Sequence, residues 1–404
     1  MNSPGWREST FGTEVELRYG KSLPAIQREV GNIPVFGSNG RVGSHNAAAA
    51  RGPGIVIGRK GSVGEVVYSG TDFWPIDTTY YVVNKQGNNW IFLYFLLSSS
   101  GLNGLNSHSA VPGLNRESVY PISCRIPPVS EQETIATVLW KVQQAIQTQD
   151  ALLRATRDLK AAAMQRVFTN GLRGESLKSS EVGRIPESWA VISLGEIGRI
   201  GNGSTPKKTR VDYWNDGATP WLTSAKVHEG LIHSADQFVS DVAVKECHLP
   251  IVPKDSLLVA ITGQGKTLGN VALVTFDTTI SQHLAYVRFD RKDVHPAYVY
   301  QYLRSRYHEL QGIGRSGGST KAALTCAFLR DYRIPYPSLD EQRDIASSLA
   351  AIDRKLAHHQ KKRSALSDLF QSLLHQLMTA QTRVTDLDID TTCVTEFAHE
   401  GRAK

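Results

Sequence analysis

Cysteine is scarce and scattered: four residues in 404, Cys124, Cys247, Cys326 and Cys393, with no two close together. A disulfide framework or a zinc knuckle needs short, repeated spacings, so these four are read as reduced thiols. Long apolar runs are missing as well. The longest, Ile91 to Leu97, is too short to cross a bilayer. The first twelve residues lack a charged-then-apolar signal pattern, and the expectation is a soluble, cytoplasmic chain with no membrane role. Catalytic patterns are equally sparse. There is no Asn-Pro-Pro-aromatic tetrapeptide of the adenine methyltransferase kind and no carboxylate–carboxylate–lysine set for a nuclease. His358-His359 and Cys247-His248 have no further donors at ligand spacing, so no catalytic residue and no metal site is expected.

Two phosphate-binding patterns are present in outline only. Ala260 to Thr267 reads AITGQGKT, but a working P-loop opens a helix at its Lys-Thr, and the continuation LGNVALVTF is strand. Gly312, Gly314 and Gly317 spell GxGxxG after a helical stretch, where the dinucleotide fingerprint must follow a strand and open a helix. That stretch is expected to be a flexible loop that touches a polyanion through Arg315 and Lys321.

What is present is repetition. The length allows two or three domains, and 41% hydrophobic with 21% charged residues is ordinary for a globular protein. The formal charge of +7 favours a polyanionic partner. The text IPPVSEQETIATVLWKV near Glu131 returns as YPSLDEQRDIASSLAAI near Glu341. An offset of 210 superposes Pro127 on Pro337, Glu131-Gln132 on Glu341-Gln342 and Leu139 on Leu349. Upstream, Trp6, Phe11-Gly12 and Gly20 match Trp189, Leu194-Gly195 and Gly203 at an offset of 183, so the second globular segment is longer by 27 residues.

Each copy ends in a long helix with a heptad seam. In the first, Ile135, Leu139, Val142, Ile146, Leu153, Ala163 and Val167 are its apolar members; in the second, Ile345, Leu349, Ile352, Leu356, Leu366, Phe370, Leu373 and Leu377. Ser130 and Asp340 are candidate caps. Gln149, Thr156, Lys160, His359 and Arg363 interrupt the seam and fix register and partner. Two such helices either pair with each other or pack each on its own globule, and their matched length favours pairing. The layout is residues 1–129 globular, 130–170 helix, 171–337 junction and second globule, 338–380 helix, and 381–404 a flexible tail.

Both globules are strand-rich and studded with glycine, each followed by an amphipathic helix, at Trp90 to Ser98 and Pro296 to Leu310. Their turns present side chains that bond base edges and phosphates. In the first globule these are Lys21, Ser38, Asn39, Arg41, Arg59, Lys60 and Ser62. In the second they are Ser204, Thr205, Lys207, Lys208, Thr223, Ser224, Lys226, Gln264, Lys266 and Thr267. Any one of them is equally at home as a solvated turn residue. Trp74, Trp189, Trp214 and Trp221 are read as core anchors rather than stacking platforms.

Tandem globules, each ending in a proline-rich step, a Glu-Gln pair and a long helix, resemble the specificity subunit of Type I restriction-modification systems. The residues carrying the likeness are Ile33 to Gly43, Gly58 to Gly64, Gly203 to Trp214, Pro220 to Thr223 and the duplicated helix module. One departure is Ser281-Gln282 where relatives often carry Asn-Gln. The resemblance implies an α+β fold with two target-recognition domains and an internal pseudo-twofold. It further implies that the two helices form an intramolecular antiparallel coiled coil. Each domain would read half of a split site in double-stranded DNA, and a helix of about 38 residues, roughly 57 Å long, would set the spacing. Partners would be modification subunits, two of them, and restriction subunits; S-adenosylmethionine, ATP and Mg would belong to those partners and none to this chain. The competing expectations are an autonomous methyltransferase or nuclease with a cryptic site, and a coiled-coil scaffold that binds no DNA.

Overall fold

The computed structural model describes residues 5–105, 113–263, 265–316 and 323–384. The tail from 385 onward, with Cys393, and the candidates Gln264 and Lys321 lie outside the described residues. Contacts divide the chain into two units. One takes the residues up to Ala151 and from Gln360 onward, the other Leu152–His359. The division falls within both long helices, so each unit holds the N-terminal part of one and the C-terminal part of the other.

The first unit runs β1 (Arg7–Thr10), α1 (Phe11–Glu14), β2 (Val15–Tyr19), β3 (Ile33–Gly37), β4 (Gly40–His45), β5 (Gly54–Gly58), β6 (Val66–Ser69), β7 (Trp74–Pro75), β8 (Thr79–Asn84), α2 (Trp90–Ser99), α3 (Arg116–Val119) and β9 (Ser123–Ile126) into α4 (Val129–Asn170). An antiparallel sheet of order β2-β8-β5-β6 sits beside a smaller one, β4-β3-β7, in which β3 and β7 are parallel; β1 pairs with β9. Strand β5 is buried along its whole length. Its alternate side chains split as a pleat requires: Ile55 and Ile57 join the core with α2, while Val56 packs on Phe36 and Phe73. Helix α2 is not amphipathic as expected. Ile91, Phe92, Leu93, Phe95, Leu96 and Leu97 are all buried, because sheet and long helices enclose it, and Asn89 caps it through Ile91 N and Phe92 N.

The second unit repeats the plan. After a hairpin, β10 (Leu177–Ser180) and β11 (Gly183–Pro186), in the junction that follows α4, come β12 (Ala190–Ser193), α5 (Leu194–Ile197), β13 (Gly198–Asn202), β14 (Thr219–Leu222), β15 (Leu231–Ile232), β16 (Gln237–Val239), α6 (Asp241–Glu246), β17 (Leu257–Ala260), β18 (Val271–Val274), β19 (Thr279–Ile280), β20 (Leu284–Phe289), α7 (Pro296–Ser305), α8 (Tyr307–Ser316), α9 (Cys326–Asp331), β21 (Arg333–Tyr336) and α10 (Leu339–Met378). The order β13-β20-β17-β18 reproduces β2-β8-β5-β6, and β16-β14-β19 reproduces β4-β3-β7 down to its one parallel pair. Much of the extra length lies between β14 and β17, where β15 and α6 are added. The helix expected from 296 to 310 breaks at Arg306, and the turn lets Leu310 reach the core as well as Tyr302. Gly312 and Gly314, expected in a flexible loop, are helical residues of α8, while Gly317 is outside the described residues.

The Glu-Gln pairs have a structural meaning that recurs in both units. Glu131 accepts the Trp6 indole N–H at 3.0 Å, and Glu341 accepts that of Trp189 at 3.1 Å. Gln132 Oε1 accepts Asn89 N and Gln342 Oε1 accepts His295 N, both at 2.8 Å, just ahead of α2 and α7. Each Gln amide also donates to a proline carbonyl, Pro127 at 3.0 Å and Pro337 at 2.9 Å. Ser130 and Asp340 are inside the helices rather than capping them; at the second helix Ser338 Oγ accepts Glu341 N at 3.4 Å.

The helices pair antiparallel in each unit. Lys160 Nζ meets Asp353 at 2.5 Å in one, and Arg363 Nε donates to Asp150 at 3.2 Å in the other. Ile135 and Leu139 share a core with Phe370, Leu373 and Leu377, and Val167 shares one with Ile345, Leu349 and Ile352. Leu153 is buried, and Val142, Ile146, Leu356 and Leu366 are half-buried. Lys160 is buried on the seam, and burial, with Arg304 nearby, draws its ammonium below the usual lysine range. Its partner Asp353 also accepts from Gln301 at 2.9 Å.

Candidate nucleic-acid interface

In an antiparallel sheet, adjacent strands end and begin at the same edge. The registers Tyr19↔Tyr80, Gly58↔Thr79 and Ile57↔Val66 therefore gather three connections of the first unit: the exit from β2, the turn into β8, and the β5–β6 loop. Asn202↔Ala285, Ala260↔Leu284 and Val259↔Val271 do the same in the second.

Backbone hydrogen bonds fasten both ends in one pattern. Gly20 N donates to Thr79 O at 3.0 Å, and Gly203 N to Leu284 O at 3.3 Å. Lys21 N reaches Pro75 O at 2.9 Å, and Ser204 N reaches Ile280 O at 3.0 Å. Arg59 N bonds Thr78 O at 2.9 Å, and Ile261 N bonds His283 O at 3.0 Å. Ile76 N bonds Phe36 O and Ser281 N bonds Leu222 O, each at 2.9 Å. These bonds make Lys21 the counterpart of Ser204, and Ser38 that of Ser224. Gly20 and Gly203 are required by sterics: a Cβ would stand 2.1 Å from Ile76 O at the one and 1.8 Å from Ile280 O at the other.

In the first unit the predicted residues converge. Ser38 and Asn39 form the two-residue turn between β3 and β4. The Ser38 carbonyl and Oγ lie 2.8 Å and 3.2 Å from where a Cβ on Gly58 or Gly61 would be, so that turn abuts the Arg59–Ser62 loop. Asn39 and Lys60 are exposed, Ser62 is half-buried, and exposed Arg41 folds back on Gly43 O at 3.2 Å. Lys21 lies 5.5 Å from the Trp74 ring. Arg59 is held by Asp77 O at 2.8 Å and lies over Tyr19 at 5.1 Å; Arg116 flanks the same ring at 5.3 Å. Sequence reading missed Tyr19 and Arg116. Tyr19 is 54% exposed although it ends a strand, a signal that only the sheet edge reveals.

In the second unit the predicted residues are less uniformly available. Half-buried Ser204 and Thr205 lead from β13, and the Ser204 carbonyl accepts the Trp221 indole at 3.2 Å. Thr205 Oγ1 bonds Gln282, whose amide contacts His283 Nε2 at 3.3 Å; His283 Nδ1 contacts Thr262 Oγ1 at 2.5 Å. This chain ties the three connections together, and sequence reading missed His283 and Thr262. Lys207 is exposed. Lys208 stacks 3.8 Å from the Trp214 ring and donates to Gln237 at 2.6 Å. Thr223 and Ser224 are half-buried at the start of the β14–β15 connection. Lys226 was expected to meet a polyanion, yet its ammonium is paired with Glu229 at 2.7 Å and Asp236 at 3.0 Å. Thr267 Oγ1 contacts His228 at 3.2 Å, and exposed Lys266 offers its carbonyl to Tyr307 at 2.9 Å. Arg315 likewise secures the loop through Gly265 O at 3.0 Å instead of projecting away. No helix follows Lys266-Thr267, since β17 and β18 form a hairpin. Among the described residues no three His, Cys, Asp or Glu side chains gather as metal ligands.

A model for the Type I restriction modification DNA specificity domain matches the chain twice, over residues 5–154 and 186–367. The chain belongs to this family. Among specificity-subunit relatives, the MjaIX type I restriction enzyme specificity subunit of Methanocaldococcus jannaschii is 30% identical over 195 residues, 48% of this chain and 44% of that protein. The MjaVIII specificity subunit of the same organism is 23% identical over 312 residues, 74% and 71% of the two chains. The fold is that of the Type-I restriction-modification S subunit from M. genitalium, with a TM-score of 0.68 at 17% identity over 94% of this chain and 97% of that one. Each specificity-domain match takes in one of the two loop ends and part of the long helix that follows it.

Proposed function

We propose that this chain is the DNA sequence-specificity subunit of a Type I restriction-modification complex, each loop end reading one half of a bipartite site. The observation that carries the reading is the duplication of one hydrogen-bond pattern at two sheet ends, with different side chains mounted on it. A shared backbone frame with divergent tips suits two readers of unlike sequence, because base edges are discriminated by side chains and register is fixed by phosphate contacts. Helices α4 and α10, of 42 and 40 residues, are the ruler, each about 60 Å long. Joining two modest readers makes the second contact intramolecular and raises affinity without new contacts.

The chemistry then belongs to other subunits. Two modification subunits carry S-adenosylmethionine and the methyl-transfer site, and restriction subunits carry ATP and Mg. This chain works in the cytoplasm and supplies address and geometry. Methylation mapping with the assembled complex tests the reading. Modified sites should share two short blocks at a fixed separation, and the chain alone should transfer no methyl group. Transfer by the chain alone, or modification without sequence preference, would overturn it.

A further inference from the structure

The turn into β8 and the turn into β20 are the same turn. Thr79 N returns to Ile76 O at 2.9 Å, and Leu284 N to Ser281 O at 3.1 Å, with the second residue of each turn being Asp77 and Gln282. Both side chains are exposed, and both stand between the β2 or β13 exit and the β5–β6 or β17–β18 loop. In the sequence Asp77 was not singled out, and Gln282 was noted only within the Ser281-Gln282 departure from the family.

Their surroundings differ in a telling way. The Asp77 turn is bonded through backbone atoms to Arg59 and Lys60, the Arg59 guanidinium donating to the Asp77 carbonyl at 2.8 Å, while the Asp77 carboxylate has no hydrogen bond or ion pair among the described residues. A carboxylate facing duplex DNA is repelled by phosphate and gains only where it accepts from a base amine; of the two in the major groove, adenine N6 stands beside the N7 acceptor, which repels a carboxylate, and cytosine N4 does not. Gln282 is oriented from both ends, by Thr205 Oγ1 on its oxygen and His283 Nε2 on its nitrogen. Each end keeps one further hydrogen-bonding position, and one donor beside one acceptor is what the adenine N6–N7 edge accepts.

We propose that this one turn position is the base-reading position of both heads: Gln282 reads an adenine in one half-site and Asp77 a cytosine in the other, with Thr205 and His283 as positioning residues. The inference rests on the proposed function and goes beyond it in naming residues and bases.

The test is selection of bound duplexes from a randomised library by the full chain or its assembled complex. For Gln282→Ala, discrimination at one adenine of one half-site should fall between about fivefold and a hundredfold, with the other half-site unchanged. Asp77→Asn should shift one position of the other half-site from cytosine toward adenine. Thr205→Val should blur the same adenine as Gln282→Ala without moving the melting temperature, which a merely structural role would move. Unchanged selected sequences in the Gln282 and Asp77 variants, or a loss of affinity spread evenly over all sequences, would overturn the proposal. A native chain that selects no sequence would instead overturn the proposed function, and this inference with it.

Discussion

Arg173 and Arg383 stand 210 positions apart, the same offset that relates Glu341 to Glu131, yet they grip those carboxylates unequally. Arg383 binds Glu131 through two short bonds, 2.6 Å and 2.8 Å, to a carboxylate that is 2% exposed. Arg173 approaches Glu341 no closer than 3.6 Å with a side chain 53% exposed, and Glu341 keeps Leu172 N at 2.9 Å and Trp189 without it. Removing one partner of a buried pair costs about 3–5 kcal/mol, and since Arg383 is partly exposed, about 2–3 kcal/mol is the expectation for Arg383→Ala. An exposed contact like that of Arg173 contributes about 0.5–1 kcal/mol. Hydrogen exchange read at the first turns of α4 and α10 separates the two. Arg383→Ala should speed exchange near Glu131 by roughly 30-fold to 150-fold, and Arg173→Ala should speed it near Glu341 by no more than about fivefold. Equal effects at the two ends would refute the argument from geometry.

Three further outcomes are expected. Gly20→Ala and Gly203→Ala force a methyl group into a backbone carbonyl, which in a packed site costs about 1–3 kcal/mol or more, so each should erase sequence preference in its own half-site; binding to single half-site duplexes reads this out. Lys207→Ala should lower the slope of log affinity against log salt by about 1, whereas Lys226→Ala should leave it nearly unchanged, its charge already being matched by Glu229 and Asp236. The selected-sequence changes expected for Gln282→Ala and Asp77→Asn stand beside these as the test of base reading.

The architecture was legible wherever the sequence is periodic or repeated. The 210-residue offset located both helices, and the seam residues Ile135, Leu139, Val167, Ile345, Leu349, Ile352, Phe370, Leu373 and Leu377 lie in the two cores, while those at the middle of the seam lie outside these clusters. The heptad pattern was also right to single out Lys160, whose buried charge is matched by Asp353. Local pattern failed where tertiary burial decides. The apolar stretch Trp90–Ser99 is enclosed rather than one-sided, and the GxGxxG glycines Gly312 and Gly314 continue a helix because Gly314 lies against Leu268. At the reading ends the sequence shows which residues are polar and in turns, but not which are already engaged. Lys226 and Lys208 look identical in text to free lysines until Glu229, Asp236 and Trp214 are placed beside them. Asp77 was overlooked, and Gln282 was noted only as part of the Ser281-Gln282 departure, for a related reason. They are equivalent by hydrogen bonding and not by residue type.

The claim that two readers are held by a helical ruler is tested most directly by changing the ruler. Seven residues inserted into both α4 and α10, in heptad register, lengthen the helices by about 10 Å, close to three base pairs. Methylation mapping of the assembled complex should then return the same two half-sites with the intervening gap wider by about three base pairs. The same half-sites at an unchanged gap would contradict the account.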